Sequence, residues 1–176
     1  MVRRKLTLLW VLLTLPVGAT HAADETLSTV SGKQCVVLLH GLARTPRSMR
    51  KMAQALQEHG YGVSSPRYAS RQATIEVLSQ PTIDAGLHEC RAAGADTIHF
   101  VTHSLGGILL RFYLTHHQIP ELGRTVMLAP PNHGSEVVDR YRNTPGFVAF
   151  NGPAILQLGT DADSVPLSLG PATFDV

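Results

Sequence analysis

The chain has 176 residues, with 15 Lys and Arg, 13 Asp and Glu, and a formal net charge of +2. Three of the basic residues lie within the first five, and without that segment 12 basic residues would face 13 acidic ones. The remaining basic residues are not clustered as a nucleic-acid partner would require, so we expect none. About 150 residues are enough for one domain with its own core.

The N-terminal segment 1–22 has the pattern of a secretory signal peptide. Basic residues at 3–5 precede an apolar run at 6–17, and 20–22 is a suitable cleavage site. The alternative is an uncleaved membrane anchor, but spanning takes about 20 apolar residues, more than this run provides. We therefore expect a mature domain over 23–176 that is exported, either to the periplasm or into the medium. Its membrane contact would be limited to the signal peptide before cleavage.

The first structural element of the mature chain is predicted at residues 35–39, a continuously apolar and β-rich run. Such a run is typical of a strand that is covered on both faces. A helix should then begin after Thr45 with Pro46 in its first turn, and end at Gly60. One side of this helix is apolar through Met49, Met52, Ala53 and Leu56.

A second strand is predicted at residues 61–66. Residues 67–81 have no clear pattern. A helix is predicted from Thr82, as the N-cap, to Ala93, with Ile83, Leu87 and Cys90 on one face.

The second half of the domain begins with a strand at 97–101, followed by a helix to about residue 117 and a strand at 125–128. Strands that alternate with helices predict an α/β fold, a doubly wound and mainly parallel sheet. The tail from 136 to 176 has only a short helix, predicted within 147–158. Ligands of such sheets bind beyond the carboxyl ends of the strands.

The segment Thr102-His103-Ser104-Leu105-Gly106 is the strongest functional signal. It joins an apolar strand to an apolar helix, which is the setting of a nucleophile elbow, where a strained turn raises a serine above the sheet. Thr102 stands where the motif usually has its first glycine. The alternative is that Ser104 is an ordinary helix N-cap. The context favours Ser104 as a nucleophile.

His40-Gly41-Leu42 ends the first predicted strand at the same edge of the sheet. Acyl transfer places negative charge on a carbonyl oxygen, and each preorganised backbone N–H that stabilises it contributes roughly 3 kcal/mol. The amides of Leu42 and Leu105 are the candidates for this oxyanion hole. Alone, the His-Gly pair would indicate only a strand followed by a loop.

Three sequences, Val-Val-Leu-Leu-His-Gly-Leu, Thr-His-Ser-Leu-Gly-Gly and Pro-Asn-His-Gly-Ser, resemble the α/β-hydrolase superfamily, and in particular its bacterial lipases and lipase-like esterases. The resemblance covers about residues 34–160. It implies an α/β-hydrolase fold, with Ser104 as the nucleophile and with Leu42 and Leu105 in the oxyanion hole. It also implies a small-molecule or lipid ester as the substrate and no cofactor. No metal site is expected.

A serine nucleophile needs a histidine base and an orienting acid, which in this fold follow it in the order acid, then histidine. The histidines after Ser104 are His116, His117 and His133, and Glu121 is the only acid between Ser104 and His133. No pair fits, because the first two end a helix that leaves the site. His133 could be a substitute base, although a loop residue that shapes the acyl pocket is favoured. His40 and His103 are pocket candidates too.

The sequence therefore predicts the N-terminal portion of a hydrolase, ending after about four strands and lacking the strands that carry the acid and the histidine. We expect a serine esterase or lipase whose activity as this chain is impaired or absent. The alternative is a non-catalytic remnant that binds a lipid or a partner. Cys35 and Cys90 should both lie at the opposite edge of the sheet from Ser104, where a structural disulfide could join them.

Overall fold

A computed structural model describes residues 33–172 and 174. Four strands form one parallel sheet in the order β2-β1-β3-β4: β1 is Gln34–Leu39, β2 is Gly62–Ser64, β3 is Thr97–His103 and β4 is Leu122–Leu128. The predicted parallel α/β architecture is confirmed. The predicted signal peptide lies outside the described residues.

Helices cover both faces of this sheet. Helix α1 (Arg50–Glu58), preceded by a 3-10 turn at Pro46–Met49, packs on one face, and its partly buried Ala53 and Leu56 contact the side chains of Val36, Leu38 and Val101. Helices α2 (Ile75–Ala92) and α3 (Leu105–His116) pack on the other face. The core beneath these two helices is formed by Val37, Leu39, Ile83, Leu87, Ile98, Phe100 and Leu110. The sheet is therefore doubly wound.

The tail after β4 consists of short helices that pack against α2 and α3. They are α4 (Glu136–Tyr141), α5 (Phe147–Asn151), a 3-10 helix at Pro153–Leu158 and α6 (Val165–Ser168). Their buried side chains share a second core with the outer sides of α2 and α3: Ile75, Leu78, Leu105, Ile108, Leu109, Val138, Ala154, Leu158 and Val165. None of the helices in the described ranges is long and apolar enough to cross a membrane.

Helix α2 begins at Ile75, so the prediction of a start at Thr82 was wrong. Thr82 is buried in the middle of the helix, and the exposed Pro81 is accommodated just before it. Small and polar residues on the buried face of α2 interrupt the helical spacing of apolar residues, which is why the sequence did not indicate the first part of the helix. Gly86 is one of them, and a Cβ at this position would lie 2.6 Å from Val37 Cγ1. The small residue allows α2 to approach β1 closely.

Cys35 and Cys90 form a disulfide, with 5.7 Å between their Cα atoms. Cys35 is the second residue of β1, and Cys90 lies near the end of α2. Both residues are buried. The bond therefore fastens the amino end of the central strand to the helix packed over it, at the edge of the sheet opposite to the end of β3.

Candidate active site

Ser104 occupies a strained turn between β3 and α3. Its φ of 51° and ψ of −119° lie in a region that L residues rarely adopt. A backbone hydrogen bond holds the turn against β4, because Ser104 N donates to the carbonyl of Leu128 at 2.9 Å. The side chain is partly exposed at the carboxyl edge of the sheet. This is the backbone that a nucleophile elbow requires.

The two residues after Leu105 are glycines, and both lie where neighbouring atoms leave little or no room for a side chain. A Cβ at Gly106 would lie 2.7 Å from the carbonyl oxygen of Leu39 and 2.9 Å from that of His40. Thr102, which replaces the usual first glycine, is fully buried, and its Oγ1 would lie 3.1 Å from a Cβ at Gly107. A second glycine after the turn therefore makes room for the threonine, and the departure from the motif leaves the turn intact.

The loop after β1 lies directly against the Ser104 turn. A Cβ on Gly41 would be 2.7 Å from His103 Nδ1 and 3.3 Å from Ser104 Cβ, so only glycine fits without displacement. The structure thus brings Gly41, His103 and Ser104 together. His103 lies between the two loops and is partly buried.

The peptide between Gly41 and Leu42 is oriented by two donors. Gly41 O accepts from the Arg44 amide at 3.2 Å and contacts His40 Nδ1 at 2.9 Å, so this nitrogen carries the proton. A trans peptide directs its C=O and N–H to opposite sides. The Leu42 N–H therefore points away from these donors. The Leu105 N–H opens α3, where a helix has no internal acceptor.

Two side chains that the sequence reasoning missed hold the same loop. Tyr68 donates its hydroxyl hydrogen to His40 O, and its ring stacks on the His40 ring with 3.9 Å between centroids. Ser70 Oγ accepts from Ala43 N at 3.0 Å. These contacts fix the backbone on both sides of Leu42. The sequence offered one signal for Tyr68 and Ser70, which is that they lie in the segment that follows β2 at the carboxyl edge of the sheet.

Burial determines the protonation of this pair. Burial lowers the pKa of His40, and the positive charge of Arg67 adds to this effect, while the bond to Gly41 O opposes it. Burial also raises the pKa of Tyr68. His40 is therefore neutral and Tyr68 protonated at neutral pH, so each remains a donor to a backbone carbonyl.

No family model and no curated protein matches the sequence. Solved structures do match the described fold. The mature form of a lipase from Bacillus licheniformis is 23% identical with a TM-score of 0.61, over 73% of this chain and 55% of that one. Its propeptide form gives a TM-score of 0.62 at 23% identity, over 73% and 30% of the two chains. An extracellular α/β-hydrolase from a Paenibacillus species gives 0.50 at 19% identity, over 64% and 52%.

The chain has the α/β-hydrolase fold. It spans about half the length of the mature lipase and of the Paenibacillus hydrolase that it matches. At these identities the likeness concerns the fold alone. The Ser104 turn lies where this fold places its nucleophile, between a central strand and the following helix.

The α/β-hydrolase fold pairs its nucleophile with a histidine and an acid, and the described residues place no such pair beside Ser104. His116 and His117 lie at the end of α3, and Glu121 forms an ion pair with Arg91 at 2.9 Å. His133 is exposed in the loop after β4, where it lines a cavity of about 410 Å³ with Arg111. Ser104 Oγ makes no hydrogen bond to a histidine within residues 33–172.

No group of three or more His, Cys, Asp or Glu in the described part of the chain could hold a metal ion.

Proposed function

We propose that the chain is a serine hydrolase for carboxylic esters with an acyl or lipid moiety, and that its activity is impaired because the described residues place no acid–histidine pair beside Ser104. Ser104 Oγ attacks the ester carbonyl and passes its proton to solvent water, since no histidine is bonded to it within residues 33–172, and the alcohol leaves after it has taken up a proton from solvent. Water then releases the acid from the acyl-enzyme. The observation that carries the proposal is the strained, positive-φ backbone of Ser104 beside the glycine of the loop after β1.

The oxyanion hole would be formed by the amides of Leu42 and Leu105. The orientation of the Gly41–Leu42 peptide supports the first donor, and the start of α3 supports the second. Negative charge is also favoured near a helix N-terminus. The side chains of Leu42 and Leu105 belong to the apolar core between α3 and the tail, so the surroundings of these two amides are apolar.

The second candidate function is non-catalytic binding of a lipid or a partner. The observation that favours it is that no acid–histidine pair is hydrogen-bonded to Ser104 Oγ in the described residues. A serine without a base is a weak nucleophile at neutral pH.

Labelling with a fluorophosphonate probe separates the two functions. We expect the chain to be labelled slowly, because Ser104 lacks a base in the described residues, and the Ser104→Ala variant not to be labelled. Ser48→Ala is the matched control, because Ser48 is an exposed serine on the turn before α1 with its Oγ bonded to the carbonyl of Thr45. Added imidazole should accelerate labelling of the wild type, since it can accept the Ser104 proton. Labelling that is absent with and without imidazole would contradict the esterase proposal and favour binding.

Export is part of the proposal. The pattern of residues 1–22 supports it, as does a disulfide, which persists in oxidising compartments. The mass of the protein recovered from the periplasm or the medium tests it. An intact N-terminus on protein retained in the cytoplasm would contradict it.

A further inference from the structure

A cavity of about 700 Å³ lies next to the loop after β1. Its walls are formed by residues 43–45, the segment 67–72 and residues 149–150 of α5. Ala43 in this wall directly follows Leu42, so their Cα atoms are about 3.8 Å apart. The cavity therefore begins one residue beyond the proposed oxyanion donor.

Three arginines line this cavity, and no acidic residue does. Arg44, Arg67 and Arg71 are exposed to its interior and to solvent. The ion pairs of the described chain are formed by other arginines, Arg91 with Glu121 and Arg142 with Asp161. The three arginines thus line the cavity without a carboxylate partner from residues 33–172. Guanidinium groups bind carboxylates and phosphates through paired N–H donors.

The wall that carries the arginines is fixed in place. Arg71 Nη1 donates to the carbonyl of Phe150 at 3.2 Å, and its guanidinium carbon lies 5.5 Å from the centre of the Phe150 ring. Gly152 has a φ of 82° and packs so closely on the Arg71 backbone that any side chain would overlap it. Ser70 joins the same segment to Ala43. A fixed wall lowers the entropy cost of binding.

The cavity is also partly apolar. The Phe150 side chain is 68% exposed, a large fraction for a phenylalanine. Ala149 lies next to it in the cavity wall and adds to the apolar surface. The charged and apolar parts of the wall are adjacent, which matches a ligand that has an anionic group next to a hydrocarbon group.

We propose that this cavity binds the anionic end, a phosphate or a carboxylate, of an amphiphilic ligand. If the esterase proposal holds, on which this part rests, the ligand is the substrate, and the cavity selects esters that carry a negative charge. The guanidinium groups of Arg44, Arg67 and Arg71 hold the charge, while Phe150 contacts the hydrocarbon.

Equilibrium dialysis of the full chain with octyl phosphate, octanoate, inorganic phosphate and neutral octyl glucoside tests the proposal. We expect octyl phosphate and octanoate to bind and octyl glucoside not to bind. Affinity should fall as salt rises from about 0.02 M to about 0.5 M, because salt screens exposed charges. Binding of inorganic phosphate as tight as that of octyl phosphate would contradict the contribution of the hydrocarbon.

Charge-matched variants identify the site. The variant R44Q/R67Q/R71Q should lose affinity for octyl phosphate by about tenfold or more, since a single charge-assisted hydrogen bond can contribute that factor. The control K51Q/R124Q/R140Q removes three exposed charges outside the cavity and should bind as the wild type. Thermal unfolding verifies that both variants fold. Equal binding by both variants would overturn the proposal.

Ser104→Ala should bind octyl phosphate normally, because the arginines and not the serine hold the anion. Arginine-dependent binding without probe labelling would refute the esterase alone. Labelling without arginine-dependent binding would refute the cavity alone.

Discussion

The loop after β1, which carries the proposed oxyanion donor Leu42, depends on two buried side chains that contact its backbone. His40 holds the carbonyl of Gly41, and Tyr68 holds the carbonyl of His40. A loop that must present an amide to a transient charge gains from such fixation, since a preorganised donor does not have to reorient during the reaction.

Replacing Tyr68 with Phe should therefore lower both stability and reactivity. The carbonyl of His40 would lose its donor in a buried place, at a cost of about 1–3 kcal/mol in the free energy of unfolding. Urea denaturation measures this loss, and the rate of probe labelling measures the reactivity. Tyr141→Phe is the control, because Tyr141 is 45% exposed. Unchanged stability in Tyr68→Phe would show that the hydroxyl does not hold the loop.

The lowered pKa of His40 predicts a pH dependence of stability. In the unfolded chain the imidazole has its ordinary pKa of 6.5, above its value in the folded protein. Its contribution is therefore fully present above about pH 6.5 and is lost as pH falls through the folded pKa. His99, whose pKa burial also lowers, acts in the same direction.

Urea denaturation between about pH 8 and pH 5 measures this effect, in a range set by the ordinary histidine pKa. The free energy of unfolding should fall less steeply with pH in His40→Gln than in the wild type. His59→Gln is the control, because His59 is exposed. An unchanged slope in His40→Gln would contradict the assignment of a buried, neutral His40.

Among the secondary-structure elements, α2 is placed by a contact that needs a residue without a side chain. Gly86 allows the helix to lie on Val37 of β1. In an isolated helix, alanine would be favoured over glycine by about 1 kcal/mol. Crowding with Val37 should outweigh this preference.

Gly86→Ala should thus destabilise the chain, by about 1–3 kcal/mol if the core is overpacked. Thermal or urea unfolding measures the change. In the double variant Gly86→Ala/Val37→Ala the loss should be smaller than the sum of the two single losses, because the shorter side chain makes room. Strict additivity would place the cause elsewhere.

The same elements show how far local sequence could predict the structure. The strand at Thr97–His103, the serine turn and α3 were predictable, because an apolar run, a small turn and a second apolar run are all local. The start of α2 was not, since its buried Ser79, Thr82 and Gly86 make sense only against α3 and β1. The contacts of Tyr68 and Ser70 with the loop after β1 join residues 28 and 27 positions apart, so no local pattern indicates them.

At the scale of the whole molecule, the disulfide connects residues 55 positions apart. Closing a loop of this length restricts the unfolded chain and stabilises the folded one by about 2–4 kcal/mol. We expect reduction, or the variant Cys35→Ala/Cys90→Ala, to lower the free energy of unfolding by this amount. Denaturation with and without a reducing agent measures it. Two free thiols in the untreated protein, detected by mass after alkylation, would contradict the bond.

The three non-glycine residues with a positive φ in the described chain are Ala43, Ser104 and Ala129, and each lies in the segment that follows the carboxyl end of a strand. The disulfide lies at the other ends of these strands. Seven residues of β3 place about 20 Å between the two edges. A substitution in the loops at the carboxyl edge therefore does not alter the contacts of the disulfide at the amino edge. Over evolutionary time, this separation allows selection to change those loops while the disulfide continues to stabilise the domain.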